Sequence, residues 1–361
     1  MARFSLRWRI ITALLVAVFG IIGLLLVVDD GRSPAVVVGD PTVVAPRGVL
    51  FLRNPAQLAE LWLADADGSN SRRIAPAVSD YSPRPNGTQV VYASQLAGKP
   101  SNIVVLDLAS GTNLNIAGAA EWTAYSPTWS PADGIIVYER RSITPAGVGT
   151  PKLWLMQPDG AELGPVAKGG DVVTYGPIWS PDGTKLGFVD PLRNEIGVFN
   201  FSEVLRRVPF SGEFDWSPDS RQLVVSALQQ NENNYRNQLV MYDLASEQHS
   251  GLAADANADD FTPRWSPDGS QIAFVRRTRS QPRGEIWLVP VAANSVARAI
   301  TNGGGFDNVD PQWSPDGRTL LWTRLTIGQA NVPSAIWRVD VANAGEPTLF
   351  IENATQAKWL R

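Results

Sequence analysis

The sequence contains no cysteine and only one histidine, His249, among its 361 residues. The absence of cysteine excludes disulfides, thiolate nucleophiles and a lipid-modified cysteine near the N-terminus. A Ser-His-Asp triad would have to use His249, which lies in a polar segment typical of a solvated turn. No Gly-x-Ser-x-Gly elbow occurs either. The sequence therefore shows no catalytic constellation and favours a protein without enzymatic activity.

Strong charge of either sign is also missing, since the formal net charge is only −4. This excludes nucleic acid as a main partner, because nucleic-acid-binding domains carry a clear excess of basic residues. The segment Asp65–Asn70 begins like a calcium-binding loop, but Pro76 occupies the position that requires glutamate. It is better interpreted as a hairpin turn. We therefore expect no cofactor and no dedicated metal site.

A long uncharged run occurs once in the chain, at Ile10–Val28. At 1.5 Å per residue it is about 28 Å long, close to the roughly 30 Å of a bilayer core. Arg3, Arg7 and Arg9 precede it, which places the N-terminus in the cytoplasm. A cleaved signal peptide is the alternative, although no Ala-x-Ala site follows Val28. The predicted order is a cytoplasmic segment (1–9), a transmembrane signal-anchor helix (10–28), a linker (29–47) and an extracytoplasmic domain (48–361), which makes a single-pass protein of the cell membrane.

The motif Trp-Ser-Pro-Asp-Gly recurs through the predicted domain. Clear copies begin at Trp179, Trp265 and Trp313, and related copies begin at Tyr81, Trp129 and Trp216. Steps of about 37 to 50 residues separate them, which is the length of a four-stranded propeller blade. Proline, aspartate and glycine in the motif are the residues that a tight hairpin turn requires. Each copy therefore predicts two strands joined by a turn.

A second repeat follows each motif, as an apolar triplet such as Leu153–Leu155 or Ile286–Leu288 that ends in a polar turn. Seven triplets occur but only six motifs, and Trp359 near the C-terminus lies in register with the motif series. The C-terminal segment therefore supplies the strand that the first blade lacks. The sequence predicts an all-β, seven-bladed β-propeller over residues 48–361, closed by its C-terminal strand, with a six-bladed ring as the alternative.

These repeats resemble the PD40, or WD40-like, repeat of TolB-type propellers over roughly residues 48–361. The resemblance implies a propeller fold. TolB itself has six blades and a globular N-terminal domain, whereas this sequence predicts seven blades and leaves too short a segment for such a domain.

Carboxylates that precede successive tryptophans form the first candidate site: Asp171, Asp215, Asp259, Asp260, Asp307 and Asp310. If the tryptophan strand is innermost, they lie near one mouth of the central channel, where they could bind a cation or a basic segment of a partner. The alternative is that they are solvated loop acids and strand-end caps. As surface groups, we expect Asp259, Asp260, Asp307 and Asp310 to be replaceable with little effect on stability.

Loops of unequal length form the second candidate site, on the face opposite the Ser-Pro-Asp-Gly turns. The polar and aromatic candidates on this face are Arg276, Arg277, Arg279, Arg283, Trp122, Tyr125 and Tyr175. Their mixed chemistry favours a non-enzymatic module or scaffold that is anchored in the membrane and binds a protein or peptide of the cell envelope. The alternative is a propeller enzyme or glycan-binding module that uses the channel-mouth carboxylates, with Trp122, Tyr125 and Tyr175 as the candidates for stacking on a sugar.

Overall fold

The computed structural model describes residues 47–53, 58–96, 98–132, 134–167, 173–201, 203–231, 234–292, 294–303, 305–326, 334–341 and 345–361. All of them belong to one compact unit, Val43–Arg361. The predicted transmembrane segment Ile10–Val28, the residues before it and all of the linker except its last residue lie outside the described residues. Within those residues no helix has the length and hydropathy needed to cross a membrane.

The strands are numbered in chain order and grouped into blades. Blade 1 begins with β1 (Gly48–Arg53), β2 (Glu60–Asp65) and β3 (Arg72–Ala75). Blade 2 contains β4 (Val78–Pro83), β5 (Gln89–Ser94), β6 (Asn102–Asp107) and β7 (Asn113–Ala117). Blade 3 contains β8 (Trp122–Trp129), β9 (Ile136–Thr144), β10 (Gly147–Val148), β11 (Lys152–Met156) and β12 (Glu162–Pro165). Blade 4 contains β13 (Tyr175–Trp179), β14 (Leu186–Asp190), β15 (Glu195–Phe199) and β16 (Val204–Val208).

The remaining blades follow the same pattern. Blade 5 contains β17 (Phe214–Trp216), β18 (Gln222–Asn231), β19 (Asn234–Asp243) and β20 (His249–Leu252). Blade 6 contains β21 (Ala258–Trp265), β22 (Gln271–Thr278), β23 (Glu285–Pro290) and β24 (Arg298–Ala299). Blade 7 contains β25 (Phe306–Trp313), β26 (Thr319–Thr326), β27 (Ala335–Asp340) and β28 (Thr348–Ile351). The last strand is β29 (Thr355–Leu360).

Seven antiparallel sheets form, and six of them have four strands. Blade 3 has the same four strands plus the short β10, which extends the hairpin after β9. The first strands of consecutive blades contact one another around the whole ring, from β29 through β4 and onward to β25 and back to β29. The prediction of a seven-bladed propeller is therefore confirmed, and the six-bladed alternative is wrong.

The ring closes through blade 1, whose strand order is β29-β1-β2-β3. Gly48 pairs with Leu360 and Val49 pairs with Trp359, so the C-terminal strand becomes the first strand of the blade. The Tyr81 hydroxyl of blade 2 lies 2.9 Å from the Leu50 carbonyl oxygen and also contacts the Gln356 carbonyl oxygen. The predicted closure is confirmed. Tyr81 contacts both strands that meet at the closure, β1 and β29, and we call this junction the seam.

The second strands of the blades are buried on both faces. In β22, Ile272, Ala273 and Phe274 are fully buried, and comparable apolar runs occur in β1 and β5. A strand buried on both faces needs a continuous apolar run rather than alternation. Packing between neighbouring blades therefore forms the core, with no separate core inside one blade.

The motif tryptophans connect each blade to the one before it. The indole Nε1 atoms of Trp179, Trp216 and Trp313 donate to backbone carbonyl oxygens at 3.3, 3.0 and 3.1 Å. The acceptors are Thr128, Ile178 and Arg264, and each is the residue directly before the motif tryptophan of the preceding blade. Trp129 and Trp265 are also buried, and Trp359 is partly buried. The repeated tryptophan therefore serves to pack one blade against the next.

Tyr81 is a correction to the predicted repeat register. Its partner in β5 is Tyr92, whereas the residue that pairs with Val90 at the start of β5 is Pro83. In blade 6 the corresponding pair is Trp265 with Ile272. Pro83 thus occupies the motif position of blade 2, and the motif itself is Pro83–Gly87. Tyr81 instead provides the buried hydroxyl at the seam.

An arginine–tryptophan pair recurs in four blades and was not predicted. An arginine late in the second strand lies over the ring of a tryptophan in the third strand. The guanidinium-to-ring distances are 4.3 Å for Arg53–Trp62, 4.3 Å for Arg140–Trp154, 4.9 Å for Arg276–Trp287 and 3.7 Å for Arg324–Trp337. Blades 2, 4 and 5 have neither partner, with Ser94 and Val104, Asp190 and Gly197, and Ala227 and Val240 at these positions. The two residue types occur together because the cation covers the indole face.

Candidate functional site

The sheet topology fixes which loops share a face of the propeller. In every blade, the turns between the first and second strands and between the third and fourth strands lie on one face, which we call the motif face. The connections between the second and third strands, and the crossovers between blades, lie on the opposite face, which we call the variable face. The first strands run from the variable face to the motif face, so residues early in these strands lie nearer the variable face.

A central channel passes between the first strands. Three cavities of about 470, 440 and 480 Å³ share lining residues, including Glu213, Asp310 and Lys358, and are therefore continuous. The lining residues fall into two layers when the blades are aligned on the motif aromatic or its equivalent. Both layers are defined by one residue from each blade.

The layer nearer the variable face, the carboxylate ring, is formed by the residue three positions before the motif residue. Its members are Gln356, Asp80, Ser126, Gly176, Glu213, Thr262 and Asp310, all of which line the channel. The deeper layer, the cation ring, is formed by the residue directly before the motif residue. Its members are Lys358, Ser82, Thr128, Ile178, Asp215, Arg264 and Gln312.

A β-bulge in the first strands helps to shape the carboxylate ring. Ser126, Thr262, Asp310 and Gln356 have positive φ angles of 47°, 45°, 54° and 54°, and the pairing register shifts in these strands. A bulge bends the strand and redirects its side chains. Consequently Tyr125 and Phe261, four positions before the tryptophan, also reach the channel.

The two cations of the deeper layer, Lys358 and Arg264, lie near carboxylates. Lys358 Nζ lies 3.5 Å from Asp80 Oδ1 and donates to the Tyr81 carbonyl oxygen. Burial raises the pKa of Asp215 and of Asp310 above their ordinary value, and the positive charge of Arg264 opposes this shift in both. Asp215 also accepts a hydrogen bond of 2.8 Å from the Trp265 backbone. Asp80, Glu213 and Asp310 thus line the channel together with Lys358 and Arg264, and Asp215 lies close enough to Arg264 to feel its charge.

Asp259, Asp260 and Asp307 do not belong to the channel lining, contrary to the prediction. Asp259 Oδ1 accepts a hydrogen bond of 2.8 Å from the Asn237 backbone, and Asp307 accepts one from Gly284. Thr123 does the same with Ser101 at 3.0 Å. These three acceptors all lie six positions before the tryptophan. In these three blades they connect the start of the first strand to the third strand of the preceding blade, or to the residue just before that strand.

Asp260 is buried, with 1% of its surface exposed, and its carboxylate oxygens accept hydrogen bonds of 2.7 and 2.8 Å from Arg276. The expectation that this group is a replaceable surface acid is therefore wrong. Arg276 also donates to the Ala253 carbonyl oxygen at 2.7 Å and stacks on Trp287. Both members of the pair therefore stabilise the fold.

The other predicted residues are divided between structural and accessible positions. Trp122 is buried against Tyr138 and is covered by Arg140, so it offers no stacking platform. Tyr175, like Tyr125, lines the channel. Arg277 pairs with Asp307 at 3.1 Å and borders the channel, while Arg279 and Arg283 lie on the β22–β23 connection of the variable face. Asp171 lies outside the described residues. His249 is exposed on the outermost strand of blade 5, against Phe210.

Four channel residues were missed at the sequence level: Asp80, Glu213, Arg264 and Lys358. Each is a polar residue within a predicted strand, which by itself carries no signal. If the repeats are aligned on the motif tryptophan, Arg264 and Lys358 lie one position before it and Glu213 lies three positions before it. This alignment would have identified all of these residues except Asp80. Asp80 required the correction from Tyr81 to Pro83.

Exposed apolar side chains mark the variable face. Large apolar residues that are 47–63% exposed occur in the connection between the second and third strands, or in the strand ends next to it, in each of the first five blades. They are Leu58, Leu96, Val148, Leu192, Leu228 and Tyr235. Only Phe201 and Val296 have comparable character on the connections of the motif face among the described residues. The apolar surface is thus concentrated on the face whose loops differ most.

The family model of the Dipeptidyl peptidase IV (DPP IV) N-terminal region matches residues 217–313, about a quarter of the chain. No curated protein matches the chain by sequence. The solved structure of TolB from Acinetobacter baumannii is 16% identical, with a TM-score of 0.52 over 87% of this chain and 66% of that chain. A prolyl endopeptidase is 13% identical, with a TM-score of 0.65 over 88% of this chain and 50% of that chain.

A periplasmic gluconolactonase from Pseudomonas aeruginosa is 12% identical, with a TM-score of 0.58 over 87% of this chain and 99% of that chain. This chain thus spans just under two thirds of the TolB chain and half of the endopeptidase chain. At these identities the similarity shows the fold alone. The chain is a β-propeller whose structural neighbours include TolB as well as enzymes, so the comparisons assign no catalytic activity.

Proposed function

We propose that this protein is a membrane-anchored, extracytoplasmic propeller of the PD40 type that binds a protein partner of the cell envelope through its variable face, without catalysis. The observation that carries the proposal is the set of exposed apolar residues from Leu58 to Tyr235 on that face. Concentrated apolar surface on one side of a soluble domain is typical of protein interaction sites. The rigid ring holds the loops that present these residues, which is how scaffolds commonly carry recognition loops.

The test uses the full-length chain in detergent as bait for envelope proteins. Replacing Leu192, Leu228 and Tyr235 together by serine should weaken capture of the partner about 100-fold, because three apolar contacts of about 1 kcal/mol each are lost. The matched control replaces Leu114, Leu163 and Leu349 by serine, since these are similarly exposed but lie on outermost strands. The control should retain the partner. Equal retention by both triple variants would contradict the proposal.

The anchor and location are part of the same proposal and rest on Ile10–Val28 with its preceding arginines. We expect the mature protein to remain in the membrane fraction after carbonate extraction, and a reporter fused after residue 47 to be active outside the cytoplasm. A mature N-terminus beyond residue 28 would show a cleaved signal peptide and a released propeller.

An enzymatic or glycan-binding role is the second candidate, favoured by the raised pKa of Asp310 in the channel and of Asp215 near Arg264. The arrangement supports it less well, because Asp215 is occupied by the Trp265 backbone and both carboxyls lie near Arg264. Turnover of a sugar or lactone substrate that is lost in Asp310→Asn, with the fold retained, would replace the binding proposal by this one.

A further inference from the structure

The carboxylate ring differs from the layer beneath it in charge. It contains three carboxylates, Asp80, Glu213 and Asp310, and no cation. Of these, Asp80 is near Lys358, and Asp310 is near both cations of the deeper ring. Asp215 also lies within electrostatic reach of Arg264. Arg277 also borders this mouth, but Asp307 pairs with it at 3.1 Å, so carboxylates predominate in the ring itself.

One of the channel cavities, about 470 Å³ in volume, lies between blades 5, 6 and 7 at this level. Its walls include the apolar side chains of Phe261, Val275 and Val309, and its oxygen-bearing groups are Glu213, Asp310 and Thr262. The cavity combines apolar walls with acidic oxygens. This combination suits a ligand with a hydrocarbon stem and a charged head.

Two oxygen-bearing groups of the cavity have unused hydrogen-bonding capacity. The Thr262 hydroxyl is buried and has no hydrogen-bond partner in the described part of the chain. Asp310 accepts no hydrogen bond from the described residues, although it feels the charges of Arg264 and Lys358. Arg277 borders the cavity but is already paired with Asp307 at 3.1 Å. Buried polar groups normally have partners, so this cavity is built to receive a donor.

A metal ion does not fit this arrangement. No group of three or more histidine, cysteine, aspartate or glutamate side chains among the described residues is close enough to hold one. The carboxylates line one passage but do not converge on a point. A long side chain that places its charged head among separate acceptors uses such a passage better than a spherical ion does.

We infer that the channel mouth binds a lysine or arginine side chain, which the partner on the variable face inserts along the channel axis between Glu213, Thr262 and Asp310. The inference rests on the proposed function, because the side chain belongs to the partner that is proposed to bind the variable face. Lysine and arginine are hydrogen-bond donors without acceptors, which matches the unpartnered Thr262 hydroxyl oxygen and the Asp310 carboxylate of this site. Their aliphatic stems lie against apolar walls while the charged group reaches polar atoms.

The test uses a blocked pentapeptide, acetyl-Gly-Gly-Lys-Gly-Gly-amide, titrated into the full chain in detergent and followed by NMR. Its norleucine analogue keeps the stem and lacks the charge. The lysine peptide should bind at least about 10-fold more tightly than the analogue, and E213Q/D310N should remove this preference. The matched control is Glu346→Gln, an exposed carboxylate outside the channel. The amides keep the size of the carboxylates, and unchanged thermal unfolding would show that the fold is intact.

Equal binding of the two peptides, or no binding of the lysine peptide at 20 millimolar, would overturn the inference. So would a lysine preference that survives in the folded E213Q/D310N variant. Failure of the proposed function has a different signature, because the serine variants of the variable face would then leave partner capture unchanged. If capture depends on the variable face but the peptides bind equally, the binding module stands and the channel site is wrong.

Discussion

Deletion of Gln356–Arg361 should cause the largest loss of stability of any short truncation in this chain. The deletion removes most of β29 and leaves β1 as an unpaired edge at the seam. It also removes Leu360, which is 6% exposed, and the contacts of Gln356 and Lys358 with Tyr81. A buried leucine alone contributes about 2–5 kcal/mol, against a typical total of about 5–15 kcal/mol. We expect the truncated chain to aggregate or to unfold at a far lower temperature.

Thermal unfolding of the truncated and intact chains measures this effect. A synthetic peptide of residues 355–361 offers the matched rescue, since it should bind at the seam and restore most of the lost unfolding temperature. A peptide with the same composition in scrambled order should not. If the truncated chain unfolds like the parent, then β29 does not hold the ring together.

Asp260→Asn should produce the second largest effect, a loss of about 3–5 kcal/mol in the free energy of unfolding. The reason is that Arg276 is 6% exposed and would keep its charge without its buried partner. Asp259→Asn is the matched control. The side chain of Asp259 is 29% exposed and its partner Arg236 lies 3.5 Å away, so its replacement should have a much smaller effect.

A double-mutant cycle with Arg276→Met separates the ion pair from general disruption. Because methionine removes the buried charge while filling space, the double variant should recover much of the stability lost in Asp260→Asn. Chemical denaturation of the four proteins gives the coupling free energy. Additive losses would show that Asp260 and Arg276 act independently, which would contradict the structure.

The fold could be predicted from the sequence because its signals are local and repeated. Turn residues at fixed offsets from a tryptophan, such as those after Trp265, identify each hairpin without knowledge of any distant contact. The register of Trp359 with the same series was enough to predict the closing strand. The misplacement of Tyr81 had the same local origin, because Tyr-Ser-Pro imitates the motif two residues early and only the pairing of Pro83 with Val90 corrects it.

The site was less predictable because its chemistry depends on partners that are distant in sequence. Asp259 and Asp310 both precede a tryptophan in a polar segment, and nothing local distinguishes them. One accepts the backbone N–H of Asn237 in the preceding blade, and the other faces the channel. Asp260 appeared equally solvated in the sequence, yet it is buried because Arg276 of the neighbouring strand meets it. Whether a charged side chain is buried depends on the partner that it meets in the folded structure. Composition and spacing do not identify that partner.

The order of the strands in blade 1 has a consequence for biosynthesis. β1 is among the most apolar strands and is the first of the ring to be made, but its partner β29 is the last. At about 5–20 residues per second, β1 waits roughly 15–60 seconds for that partner to be synthesised. The ring therefore closes only after translation of the whole propeller, and any other extended segment that pairs with Gly48–Arg53 in the interval competes with β29 for the seam.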